Sequence, residues 1–131
     1  MLQADGMTQP LALVLYEKLL PGSQLVNRLQ DLNYRVQVIS DPANLVTSAE
    51  HIKPMIVLAD LAAMPSDVCA ALTHLKANPT TNHLPVIAFC AEHTGTDLQV
   101  QAQAAGATLV VSDTALLNHL PQCLDQALQI E

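Results

Sequence analysis

Met55-Ile56-Val57-Leu58-Ala59-Asp60 decides the fold, because an unbroken apolar run ends on a carboxylate. A short run without polar alternation reads as a strand covered on both faces, the kind found in parallel sheets flanked by helices. Burying an acidic side chain is costly, and open parallel sheets place their ligand crevice just outside the carboxyl ends of their strands. Asp60 is therefore the first candidate functional residue.

The same alternation of patterns extends outward in both directions. Residues 11–16 (LALVLY) form an apolar run of strand length, and Pro21-Gly22-Ser23 opens a helix with Leu25, Val26, Leu29 and Leu32 on one face. Residues 34–39 alternate like a half-covered strand, followed by Asp41-Pro42 as N-cap and first helical residue of a segment reaching about His51. Beyond Asp60, Ser66 caps a helix carrying Val68, Ala71, Leu72 and Leu75, and Asn78-Pro79 stops it. Residues 85–90 read as the fourth strand, residues 93–105 as a Gln- and Ala-rich helix ending at Gly106, and residues 107–111 as the fifth strand. The last helix starts near Asp113-Thr114 and carries Leu116, Leu117, Leu120, Leu124 and Leu128; Pro121 inside it predicts a kink or a late start. Five such units predict an α/β fold of flavodoxin-like architecture, a five-stranded parallel sheet with helices on both faces. Residues 1–10 are expected to be a flexible tail and residues 11–131 a single domain.

Composition narrows the function classes. A chain of 131 residues, 50% of them apolar, buries a core of one ordinary domain. Five Lys and Arg against twelve Asp and Glu give a net charge of −7, so no basic stripe exists for nucleic acid, and the acidity favours basic partner surfaces. Cys69, Cys90 and Cys123 are odd in number and sit in apolar segments, which fits reduced thiols in a cytoplasmic protein. No window stays apolar long enough to span a membrane, and the first residues lack an export pattern. His51, His74, His83, His93 and His119 show no ligand spacing, and residues 18–22 are too poor in glycine for a dinucleotide loop. No Ser elbow or Cys/His pairing appears, so an enzyme is not expected.

Three stretches carry a resemblance that spans about residues 11–128. Residues 53–61 (KPMIVLADL), residues 78–91 (NPTTNHLPVIAFCA) and Ala105-Gly106-Ala107 resemble, in that order, segments of the receiver domain of two-component response regulators. The resemblance implies that Asp60 occupies the phosphoacceptor position. It also implies partners for that carboxylate, and here the chain departs from the family. The acidic pair after the first strand, which helps hold Mg²⁺, falls on Tyr16 and Glu17, so Glu17 and Asp60 would bind the ion weakly or not at all. The phosphate-neutralising lysine falls on Asp113, with Ser112 beside it, and a carboxylate there opposes a developing dianion by about 1 kcal/mol or more at a partly solvated ~4 Å. The switch positions fall on Cys90, a weak hydrogen-bond donor, and Val110, which has no ring to move.

Each position also has a plain structural reading. Tyr16 finishes a strand as a core-edge aromatic, although its hydroxyl could also hydrogen-bond Asp60; Asp113 caps the last helix, with Ser112 or Thr114 sharing the task. Cys90 is a small buried hydrophobe, because neighbouring carboxylates would raise its pKa and blunt redox sensing. Lys18 has two readings: a side chain pointing to solvent, as most such lysines do, or a partner for Asp60 that substitutes internally for metal and phosphate. The expectation is a pseudo-receiver: a signalling module that has lost Mg-dependent phosphorylation and works by protein–protein interaction, with no cofactor. Its interaction face, by resemblance, includes Asp97, Gln101, Val111, Leu117 and Gln122, and a leucine left exposed among Leu116, Leu117 and Leu120 would serve a partner or a homodimer. The alternatives are a response regulator still phosphorylated on Asp60 by a histidine kinase in a phosphorelay, and a small flavodoxin-like enzyme or cofactor-binding domain.

Overall fold

The computed structural model describes residues 11–16, 19–61, 65–90 and 96–130. Five strands, β1 (Leu11–Leu15), β2 (Arg35–Ile39), β3 (Ile56–Asp60), β4 (Val86–Cys90) and β5 (Leu109–Ser112), form one parallel sheet in the order β2-β1-β3-β4-β5. Helices α1 (Leu19–Asp31), α2 (Leu45–Ile52), α3 (Pro65–Ala77), α4 (Thr96–Ala104), α5 (Asp113–Asn118) and α6 (Leu120–Ile130) connect and follow the strands. The chain reverses direction across the sheet between β1 and β3, where a crevice forms at the carboxyl ends in this class of fold. The expected α/β architecture is the observed one, and the tail at residues 1–10 lies outside the described residues.

Strand alternation divides the core in two. Leu13, Leu15, Val57, Ala59, Val86, Ala88 and Cys90 face α2, α3 and α4, meeting Leu45, Leu72, Leu75 and Ala102. Ala12, Val14, Ile56, Leu58, Ile87 and Phe89 face α1, α5 and α6, meeting Leu25, Leu29, Leu116, Leu120 and Leu124. Each fully buried Leu or Ile stabilises the fold by about 1.5–3 kcal/mol, which explains why both sheet faces are apolar through β1, β3 and β4. β2 is different: it lies at the edge and most of its residues are exposed.

Helix ends follow local chemistry, and α1 and α3 begin earlier than the sequence pattern predicts. Asp41 does cap the turn Pro42–Asn44, its Oδ1 accepting from the Ala43 N–H at 3.0 Å, and α2 continues from it to Ile52. α1 begins at Leu19 and takes Pro21 and Gly22 into its first turn, where a missing N–H costs nothing; at its other end Leu32 is left 37% exposed. α3 starts at Pro65, so Ser66 falls inside the first turn and not at the cap. The last helix is broken: α5 ends at Asn118, His119 leaves helical geometry, and Pro121 sits in the first turn of α6. Pro121 therefore produces a restart, as its lack of an N–H predicts. Leu116 and Leu120 are buried and Leu117 is half-buried against the core, so the fully exposed leucine expected among them is not there.

Candidate functional site

The carboxyl ends of the strands bring the candidate residues into one row. Leu15 pairs with Ala59, Asp60 with Phe89, and Phe89 with Val111, so Tyr16, Asp60, Phe89 and Val111 follow one another across β1, β3, β4 and β5. Alternation assigns all four to the side of α1, α5 and α6. Tyr16 donates its N–H to the Ile39 carbonyl at 3.0 Å, and its half-buried ring packs against that core. Asp60 is only 4% exposed. Phe89, the one phenylalanine of the chain, is buried beside it, and Val111 packs against the same core. Phe89 has no titratable or hydrogen-bonding group to mark it as a site residue, although a large ring one position before a strand end is a visible sign that this part of the pocket is filled.

Cys90 and Val110 share the opposite face. Cys90 is buried in the core beneath α2, α3 and α4, and Val110, which pairs with Ala88, packs on that core. Ser112, level with Cys90, caps α5: its Oγ accepts the Ala115 N–H at 3.0 Å. The capping role expected of Asp113 thus belongs to Ser112, whose extended backbone precedes the first helical residue as an N-cap must. Asp113 sits one step further, half-buried in the first turn of α5, where the helix dipole favours its charge and Thr114 Oγ1 lies 3.3 Å from its Oδ1. Glu17 and Lys18 lie outside the described residues, and with them the weak or absent Glu17–Asp60 metal site and the alternative Lys18–Asp60 pairing.

Topology also sorts charge between the two poles of the sheet. Arg28 and Lys76 are in the last turns of α1 and α3, Lys53 follows α2, and Arg35 begins β2, so all four described cations lie at the amino ends of the strands. Lys76 is held there, its Nζ donating to the Leu84 carbonyl at 2.5 Å and the Asn82 carbonyl at 3.4 Å, and burial lowers its pKa. At the carboxyl pole stand Asp41 after β2, Asp60 ending β3, Asp67 in the first turn of α3, Asp97 near the start of α4 and Asp113 opening α5. Among the described residues the pole that carries Asp60 therefore holds carboxylates and no cation. The described side chains of this pole sum to negative charge, which favours positive charge nearby. No group of three His, Cys, Asp or Glu is placed to hold a metal among the described residues.

The remaining candidates are spread out. A cavity of about 630 Å³ between the turn at Pro42 and α3 is lined by Asp41, Val46, Asp67 and His74 and does not reach Asp60. Gln101 is exposed on α4 and Gln122 is exposed on α6, while Leu117 and Val111 are half-buried; the side chain of Asp97 lies outside the described residues. The three cysteines are free, and burial pushes the thiols of Cys69 and Cys123 above the ordinary range. No described helix is long and apolar enough to cross a membrane.

No family model matches the chain, and no curated protein matches its sequence. Solved structures do match its fold. The receiver domain of a sensor histidine kinase from Pseudomonas aeruginosa, with a magnesium ion coordinated in its active-site cleft, superposes with a TM-score of 0.80 at 21% identity, covering 92% of this chain and 98% of that one. A response regulator from Thermotoga maritima gives 0.77 at 16% identity, with coverage of 92% and 98%. The chemotaxis protein CheY4 of Vibrio cholerae gives 0.78 at 14% identity, with coverage of 91% and 98%. The chain has the fold of response-regulator receiver domains.

Proposed function

We propose that this chain is a receiver-fold signalling module in which Asp60 is no longer a working phosphoacceptor and whose output is protein–protein contact. The observation that carries the reading is the charge at the carboxyl pole: Asp113 stands where the family resemblance puts a lysine, and every described cation is at the other end of the sheet. Phosphoryl transfer in a site of this kind rests on positive charge aimed at the moving phosphoryl oxygens. Phe89 stands beside Asp60 on the next strand, with Val111 beyond it, so this side of the row is apolar. Cys90 and Val110 supply neither a strong donor nor a ring to relay a change. A basic partner surface suits this pole, and the α4, β5 and α5–α6 side, with Asp97, Gln101, Val111, Leu117 and Gln122, is its docking face. Mg²⁺ has no part in this function, and the protein acts in the cytoplasm.

Titration with Mg²⁺ and beryllofluoride, followed through backbone amide NMR shifts, tests the proposal. The expected result is no saturable shift at Asp60, Cys90 or Val110 at millimolar ligand in a folded protein. Saturable shifts at Asp60 that spread to Val110 would establish instead a regulator phosphorylated on Asp60.

A further inference from the structure

We infer that β2 is a self-association edge, through which two copies of this chain join antiparallel into one continuous ten-stranded sheet. β2 lies at the end of the sheet order, with β1 on one side and no strand on the other. The Tyr16 N–H donates to the Ile39 carbonyl, which fixes the phase of the edge: Arg35, Gln37 and Ile39 turn their backbone groups toward β1, while Val36, Val38 and Ser40 turn theirs outward. Outward N–H and C=O groups on an exposed strand are a template for another strand.

The side chains select a second copy as the occupant. Val38 is 38% exposed, although it is the register partner of fully buried Val14. Arg35 and Asp41 are exposed at opposite ends of the strand; Arg35 has no ion pair with a described residue, and Asp41 keeps an extended backbone. Antiparallel pairing about a two-fold axis at Val38 sets Val38 against its own copy as a hydrogen-bonded pair. The same register sets Val36 opposite Ser40 and Arg35 opposite Asp41, twice over. A parallel arrangement would oppose Arg35 to Arg35 and does not close on a two-fold. Centring the axis on Gln37 would oppose Arg35 to Ile39. Only the Val38 register covers the exposed valine and pairs both charges, and closure at two copies leaves no further edge for growth at β2. β5 remains at the far side of each sheet, so the dimer does not obstruct the docking face proposed above, and it is independent of phosphoryl chemistry.

Sedimentation equilibrium of the full chain between about 1 µM and about 1 mM, where small interfaces dissociate, should show a monomer–dimer equilibrium. Val38→Lys and Arg35→Asp should each weaken it by about tenfold or more, and the reversed pair Arg35→Asp with Asp41→Arg should recover it. Amide exchange in the unaltered protein provides a second reading: Val38 and Ser40 should exchange more slowly as concentration rises, whereas Gln37 and Ile39 should not change. A monomer throughout, a dimer indifferent to Val38→Lys, or concentration-independent exchange at Val38 and Ser40 would overturn the inference.

Discussion

Asp60 and Phe89 are register partners on neighbouring strands, so the one buried carboxylate of the sheet stands beside the one phenylalanine of the chain. The ring belongs to the core under α1, α5 and α6, and it occupies volume next to the crevice.

Truncating that ring should unfold the neighbourhood before it opens a site. Phe89→Ala is expected to cost about 3–5 kcal/mol, the range for a buried aromatic that leaves a cavity. Urea denaturation would measure it, and a loss below about 1 kcal/mol would mean that the ring is not packed as described.

Restoring phosphoryl chemistry should take several changes together. Asp113→Lys alone brings one cation into a pole that still lacks the metal ligand and the hydroxyl, and it places a positive charge at a helix start, costing about 0.3–1 kcal/mol. The triple variant Tyr16→Asp, Cys90→Thr, Asp113→Lys is expected to gain beryllofluoride-dependent amide shifts with Mg²⁺, and no single variant should. Binding by Asp113→Lys alone would show that charge was the sole defect.

Ser112 carries the start of α5 through one bond to the Ala115 N–H. Ser112→Ala should lower stability by about 1 kcal/mol, and Ser112→Asp should recover most of it, because either side-chain oxygen can cap. Thermal unfolding by circular dichroism distinguishes the two variants.

Gly106 and Lys76 should be energetically coupled. Gly106 has φ +113°, and a Cβ added there would lie 2.4 Å from Lys76 Cγ, the side chain that reaches the Leu84 carbonyl. Gly106→Ala should destabilise by about 1 kcal/mol or more, and by less in a Lys76→Ala background, where only the backbone strain remains. Strict additivity in a double-mutant cycle would contradict the contact.

Alkaline pH should act through the half-buried Cys69 and the buried Cys123. Burial raises the Cys69 and Cys123 thiols above the ordinary value of about 8.5 that applies once the chain unfolds. The unfolded state therefore loses thiol protons first, so stability is full below the ordinary thiol value and falls as pH rises through the higher folded values. Replacing both cysteines with Ala should flatten that decline in denaturation midpoints measured from pH 8 to pH 10.5, a range spanning the ordinary thiol value of about 8.5.

The layered α/β architecture is legible along the chain alone, because side-chain periodicity is a local property that survives without knowledge of contacts. Runs such as residues 56–60 declare a strand covered on both faces, and Asp41-Pro42 declares a helix start. Asp60 is marked as well, since a carboxylate ending such a run is legible from its neighbours alone. Boundaries were less legible where two local signals compete: Ser112, Asp113 and Thr114 can all cap, and backbone geometry chose Ser112.

What stands beside Asp60 follows from packing between strands and is not written in any local stretch. Register between strands, which depends on packing over long sequence separations, brought Phe89 and Val111 into its row and put Cys90 and Val110 on the other face. Parallel topology decided the charge pattern as well. Each helix returns the chain to the amino end of the sheet, so cations scattered along the sequence at Arg28, Arg35, Lys53 and Lys76 gather at one pole, while Asp41, Asp60, Asp67, Asp97 and Asp113 gather at the other.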